Sequence, residues 1–207
     1  MSFELSIRHR VGERSLTLDT RSDARITGIV GPSGAGKTSV LNCVAGLARP
    51  AEGRIVVDGV TLFDRANRID LPPEHRRAGY VFQDNRLFPH LRVGANLSYG
   101  ERLTDPAERW IGHDEVLDFL GIGHLVQRWP ATLSGGEARR VAIGRALLAA
   151  PRFLLLDEPL TSLDAARREE ILRVIERIRD ELAIPMILVS HSRDEIDRLT
   201  GTLITIG

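Results

Sequence analysis

Gly31, Pro32, Ser33, Gly34, Ala35, Gly36, Lys37 and Thr38 form a run in which small residues lead to one cation and one hydroxyl. The run fits G-x-x-x-x-G-K-[ST], a phosphate-binding loop (P-loop) when a strand enters it and a helix leaves it. Small side chains let successive backbone N–H groups point at phosphate oxygens at the positive end of a helix. The Lys37 ammonium then neutralises β and γ phosphates, and the Thr38 hydroxyl is suited to ligate Mg²⁺. Lys37 is also the only lysine among the 28 basic residues of the chain. A compact ammonium fits deep in a backbone cradle where a planar guanidinium does not. An Asn-Lys-x-Asp guanine motif would need a second lysine, which disfavours a GTPase and leaves ATP as the expected nucleotide.

Asp157 and Glu158 follow the apolar run Phe153–Leu156, at the strand end where open α/β sheets place their ligand crevice. Two adjacent carboxylates there need a cation or a proton to transfer. Asp157 is the candidate for holding Mg²⁺, and Glu158 for polarising the attacking water as general base. A third constellation is Leu133, Ser134, Gly135, Gly136 and Glu137. Ser134 with Glu137 three residues on is a capping box. The paired glycines add exposed N–H groups at a positively polarised helix end, a second phosphate site. Two phosphate sites with one P-loop point to two chains sharing the nucleotide.

These residues need particular elements to hold them. Ile26–Val30 is predicted as the strand entering the P-loop, and Thr38–Leu47 as the helix leaving it, with Val40, Leu41, Val44 and Leu47 inward. Phe3–His9 and Ser15–Leu18 alternate as a hairpin turning near Val11 and Gly12. Arg54–Asp58 and Tyr80–Phe82 read as further strands, the second leading to Gln83. Phe153–Asp157 and Met186–Ser190 are continuous apolar strands flanking a helix with Ile171, Ile175, Ile178 and Leu182 at its spacing, a parallel βαβ unit. Residues 84–151 are helical in pattern. The expected fold is α/β: a parallel-sheet core of the P-loop NTPase (RecA-like) type, an N-terminal antiparallel β lobe and an inserted helical lobe.

Bulk properties fit one domain spanning residues 1–207. With 28 basic and 28 acidic residues, a non-specific grip on nucleic acid is not indicated. No apolar run approaches the roughly 20 residues that span a bilayer, so any membrane contact is expected to be indirect. No signal-peptide pattern opens the chain, and the lone Cys43 reads as a buried structural thiol.

Taken together, these motifs resemble the ATP-binding subunits of ABC transporters over the whole chain. The resemblance places the signature at Leu133–Glu137, the Q-loop at Gln83, the Walker B pair at Asp157 and Glu158, the D-loop at Ser162, Leu163 and Asp164, and the switch histidine at His191. It implies a head-to-tail homodimer in which each ATP lies between one chain's P-loop and the other's Ser134, Gly135 and Gly136. His191 would contact the γ-phosphate, Gln83 would sense Mg²⁺, and Asp164 would communicate across the dimer. It further implies integral-membrane permease subunits, an indirectly coupled substrate-binding protein, and a peripheral place on the cytoplasmic face of the membrane.

Within the family, Leu71–Arg77, Gly79–Gln83 and Leu87–His90 look most like molybdate importers, which implies import of an oxyanion, molybdate; the alternative is a subunit serving another substrate, such as sulfate, thiamine or an exported molecule. An ABC ATPase outside transport lacks its usual marks here: a coiled-coil insertion, a cysteine pair, tandem cassettes or a basic surface. Phe88, Pro89, Leu91 and Leu97 are read either as the groove for a membrane-subunit helix or as local core. Three departures stand out. Glu137 replaces the usual Gln, which keeps the capping box. The adenine-stacking aromatic is missing from residues 8–13, where Arg10 or His9 could stack instead. The chain stops at Gly207, so no C-terminal regulatory domain is expected.

Overall fold

The computed structural model describes residues 2–12 and 14–206. The first strands, β1 (Phe3–Val11) and β2 (Arg14–Ser22), pair antiparallel, with Phe3 opposite Ser22 and Leu5 opposite Thr20. Alternation along β1 buries Phe3, Leu5 and Ile7 and leaves the intervening residues outward, the period of two that a half-buried strand requires. Strand β3 (Ile26–Val30) then enters the P-loop and helix α1 (Lys37–Ala45) leaves it. Strands β4 (Glu52–Val57), β5 (Val60–Asp64) and β6 (Ile69–Asp70) complete an antiparallel sheet of order β2-β1-β4-β5-β6.

A short helix α2 (Pro73–Arg76) precedes β7 (Ala78–Val81), followed by α3 (Val93–Glu101), α4 (His113–Leu120) and α5 (Gly135–Leu148). Then come β8 (Phe153–Asp157), α6 (Ala165–Arg177), β9 (Met186–Ser190), α7 (Arg193–Leu199) and β10 (Thr202–Thr205). The second sheet has the order β10-β3-β9-β8-β7 and every pairing is parallel. The structure thus bears out the α/β class, the parallel core and the antiparallel N-terminal sheet. No helix among the described residues is long and apolar enough to cross a membrane.

Strands β3, β8 and β9 are buried at every position, because helices or the other sheet cover both their faces. Alternate residues serve different layers. Ile29, Phe153, Leu155, Ile187 and Val189 pack with α1 and the antiparallel sheet. Leu154, Leu156, Met186 and Leu188 pack with α3 to α7. Helix α1 is therefore held between two sheets, which fixes the direction in which its N-terminus points.

Three expectations are corrected. Helix α1 ends at Ala45 because Gly46 adopts φ 82° and caps it, so Leu47 lies beyond the helix and is 53% exposed. Leu97 is fully buried in the core and cannot line a groove. The helix through Ile175 changes to a π turn at Ile178–Leu182, closed by Ala183 in the left-handed region. Cys43 is buried as expected, and burial pushes its thiol up to about 12 against the opposing charge of Arg76.

Candidate nucleotide site

The P-loop leaves the buried end of β3 and bends under the constraint of its glycines. A Cβ at Gly31 would lie 2.2 Å from the Ile206 carbonyl oxygen, and Gly36 holds φ 95° at the start of α1. Only glycine satisfies both without strain. The loop, with Gln83, Glu158, Thr161 and His191, lines a cleft of about 350 Å³. Lys37 is 7% exposed, and its Nζ donates to the Gly31 and Pro32 carbonyl oxygens at 2.8 and 3.1 Å. Its ammonium is held across the loop and lies 3.8 Å from Glu158 Oε1.

Two carboxylates stand at the end of β8, Glu158 lining the cleft and Asp157 buried beside Thr38. Asp157 is 3% exposed, and its Oδ1 accepts from Thr38 Oγ1 at 3.1 Å. Burial pushes its carboxyl upward and Glu158 adds to this, while the Thr38 hydrogen bond and the charges of Lys37 and Arg139 oppose it. Glu158 itself sits at φ 48°, which turns its side chain off the strand line. Its Oε2 accepts from Thr161 Oγ1 at 3.0 Å and lies 2.7 Å from His191 Nδ1. One oxygen thus meets two polar partners while the other faces Lys37, and the carboxylate is oriented toward the mouth of the P-loop.

Sequence reasoning did not find Thr161, although its place three residues after Glu158 is a local signal, nor Arg139, which is buried on α5. Gln83 lines the cleft as anticipated. Ser134, Gly135, Gly136, Glu137 and Asp164 do not. They lie at the starts of α5 and α6, where Ser134 Oγ accepts from the Glu137 N–H at 3.3 Å and Glu137 Oε2 accepts from the Ser134 N–H at 2.7 Å. Asp164 Oδ1 accepts from the Arg167 N–H at 3.0 Å and caps α6. Leu163 packs inward, and a Cβ on Gly135 would lie 3.2 Å from its Cδ2. His9 and Arg10 also lie outside the cleft lining, and Glu13 lies outside the described residues.

The capping box yields a stability prediction. The Ser134 N–H holds the Glu137 carboxyl below its ordinary 4.5. A lowered folded-state value means stability present above pH 4.5 and lost as the pH falls through the folded-state value. We expect Glu137→Gln to keep the neutral form of the cap and Glu137→Ala to lose about 1 kcal/mol. Urea unfolding at pH 7 checks this; equal midpoints for the two variants would contradict it.

The family model described as ABC transporter matches residues 15–161. The chain belongs to the ABC transporter family. The Molybdenum import ATP-binding protein ModC of Rhodospirillum rubrum is 54% identical over 204 residues, covering 99% of this chain and 55% of that protein. Proteins of the same description from Paramagnetospirillum magneticum and Mesorhizobium japonicum are 54% and 52% identical, over 97% and 100% of this chain and 55% and 56% of theirs. The chain therefore spans little more than half the length of the curated relatives it matches. Among solved structures, a dimeric bacterial ABC transporter cassette superposes with TM-score 0.79 at 25% identity, covering 99% of this chain and 94% of its own. The cbiO1 protein from Clostridium perfringens, part of the ABC transporter complex cbiONQ, gives TM-score 0.81 at 26% identity over 99% and 84%.

Proposed function

We propose that this chain binds and hydrolyses ATP as the energising subunit of an ABC importer for an oxyanion, molybdate. The observation that carries the ATPase reading is the carboxylate of Glu158, oriented by Thr161 and His191 at the mouth of a P-loop whose ammonium lies 3.8 Å away. The P-loop N–H groups and Lys37 hold the phosphates. Glu158 takes the proton of a water whose oxygen attacks the γ-phosphorus, and the bond to the ADP oxygen breaks as that oxygen takes the electron pair. His191 steadies the base and the γ-phosphate.

The residues also fit Mg²⁺. Thr38 and Asp157 bring a hydroxyl and a buried carboxylate together at 3.1 Å, and no cluster of three or more metal-ligating side chains occurs among the described residues. Mg²⁺ is held in just this sparse way, by one or two side chains together with phosphates and water, and it neutralises charge on the phosphates. Gln83 reaches the same cleft.

Because Ser134, Gly135 and Gly136 lie outside that cleft, we read the working unit as a homodimer in which each offers them to the other's nucleotide, with Asp164 and Glu137 beside them. Phe88, Pro89 and Leu91, which follow the Gln83 loop and remain partly or fully exposed, are the proposed contact for a permease helix. This arrangement would hold the chain peripherally at the cytoplasmic face of the membrane, with a substrate-binding protein coupled through the permease and no nucleic-acid partner.

Molybdate as cargo rests on the named role of the relatives. In vesicles containing the chain and its membrane subunits, we expect ATP-dependent uptake of molybdate exceeding that of sulfate. Uptake of neither, or of sulfate alone, would overturn this substrate.

A further inference from the structure

The loop carrying Gln83 is held almost wholly by one helix. Arg139 Nη1 and Nη2 donate to the carbonyl oxygens of Phe82 and Gln83 at 2.8 and 2.9 Å. Arg145 Nη2 and Nη1 donate to those of Asn85 and Arg86 at 3.0 and 2.7 Å. Both arginines belong to α5, the helix that opens with Ser134. Six residues along a helix rise about 9 Å, which lets two guanidinium forks meet carbonyls at both ends of the bend.

The bend needs such support. Asn85 and Arg86 hold left-handed φ values of 59° and 44°, a conformation that persists in non-glycine residues only where surroundings over-determine it. Arg139 is also costly to keep. It is 3% exposed, and its Nε is buried with no hydrogen-bond partner, while burial lowers it to about 10. An apolar residue at this position would pack against its neighbours without that cost. The compensating contacts are the two carbonyls it bridges, which the planar fork meets with a separate N–H donor for each.

We propose that Arg139 and Arg145 are positioning residues that clasp the Gln83 loop to α5, so that Gln83 and the Ser134–Gly136 surface move as one body. This rests on the ATPase reading above. Gln83 faces the chain's own nucleotide, and Ser134–Gly136 face the nucleotide of the partner. The clasp therefore ties the sensing of one nucleotide to the presentation of the surface that completes the other.

Two readouts test it. A nitroxide on Asp84→Cys reports loop mobility in the full chain without nucleotide, because the buried Cys43 does not compete for the label. We expect an immobilised spectrum with Arg139 present and a mobile component in Arg139→Met. In the complex with membrane subunits, Arg139→Met should lower kcat about tenfold with KM for ATP changed less than about twofold. It should add no further loss to Gln83→Ala, as residues acting through one another do not add. Arg139→Lys, with one ammonium for two carbonyls, should fall between. Should Arg139→Met not fold, Arg145→Met at a less buried position carries the same readouts. An unchanged spectrum, or losses that multiply with Gln83→Ala, would overturn the clasp. A wild-type complex without turnover would instead remove the ATPase reading and leave the spectrum to decide the clasp.

Discussion

Glu158→Gln is expected to leave ATP bound and turnover at least about a hundredfold lower, the scale of losing a general base. The substitution preserves what the structure shows around the side chain. An amide oxygen still accepts from Thr161 Oγ1, which lies 3.0 Å from the carboxylate, and the volume is unchanged. What disappears is the ability to take a proton from water. A negative charge 3.8 Å from Lys37 also disappears, close to where the γ-phosphate must sit, so ATP affinity should hold or rise. The two-chain arrangement should then persist with ATP, since nothing consumes the nucleotide joining the halves. Phosphate release and light scattering with ATP measure both effects. A variant with wild-type turnover would remove Glu158 from the role of base, and one that stays monomeric with ATP bound would remove the nucleotide as the bond between chains.

The parts most legible in the sequence are those where one physical requirement dominates. Strands β3, β8 and β9 were predicted with the observed limits because burial on both faces demands unbroken apolar runs. The P-loop declared itself because phosphate contact admits few residues at each position. The two-residue β6 and the one-turn α2 carry too few residues to show a period, and β5 and β10 lack the unbroken apolar run that marks β3, β8 and β9. Leu47 continued the apolar spacing of α1, but Gly46 at φ 82° ends that helix first, so a local backbone preference overrode the pattern.

The site was legible in its residues and less so in its supports. Lys37, Thr38, Gln83, Glu158 and His191 line one cleft, which motif order had anticipated. Periodicity assigns a charged side chain to solvent, so it could not reveal that Arg139 is buried against Phe82 and Gln83. Asp164 shows a related limit. Its carboxylate is engaged in capping α6, a local role that coexists with any role across an interface and cannot be told from it by sequence.

Complementation between two inactive chains is the second large effect expected. Lys37→Ala removes the ammonium that the Gly31 and Pro32 carbonyls hold in place, so that chain cannot grip its own phosphates. Lys37→Arg should fail as well, because a planar guanidinium does not fit the cradle an ammonium occupies. Ser134→Arg places a long cation at the start of α5, remote from the chain's own cleft, and should spoil only the nucleotide of its partner. Each variant alone is expected to turn over ATP at least about a hundredfold more slowly, since every site in its dimer lacks one half. Mixing them lets the P-loop of one meet the intact Ser134–Gly136 of the other. With random pairing, half the dimers are mixed and one of their two sites is whole, so activity should recover toward about a quarter of the wild-type rate. Steady-state phosphate release from equal mixtures, preincubated without nucleotide, makes the comparison. Full activity in Ser134→Arg alone would show that each chain completes its own site, and a mixture no faster than its components would show that the two halves are not exchanged between chains.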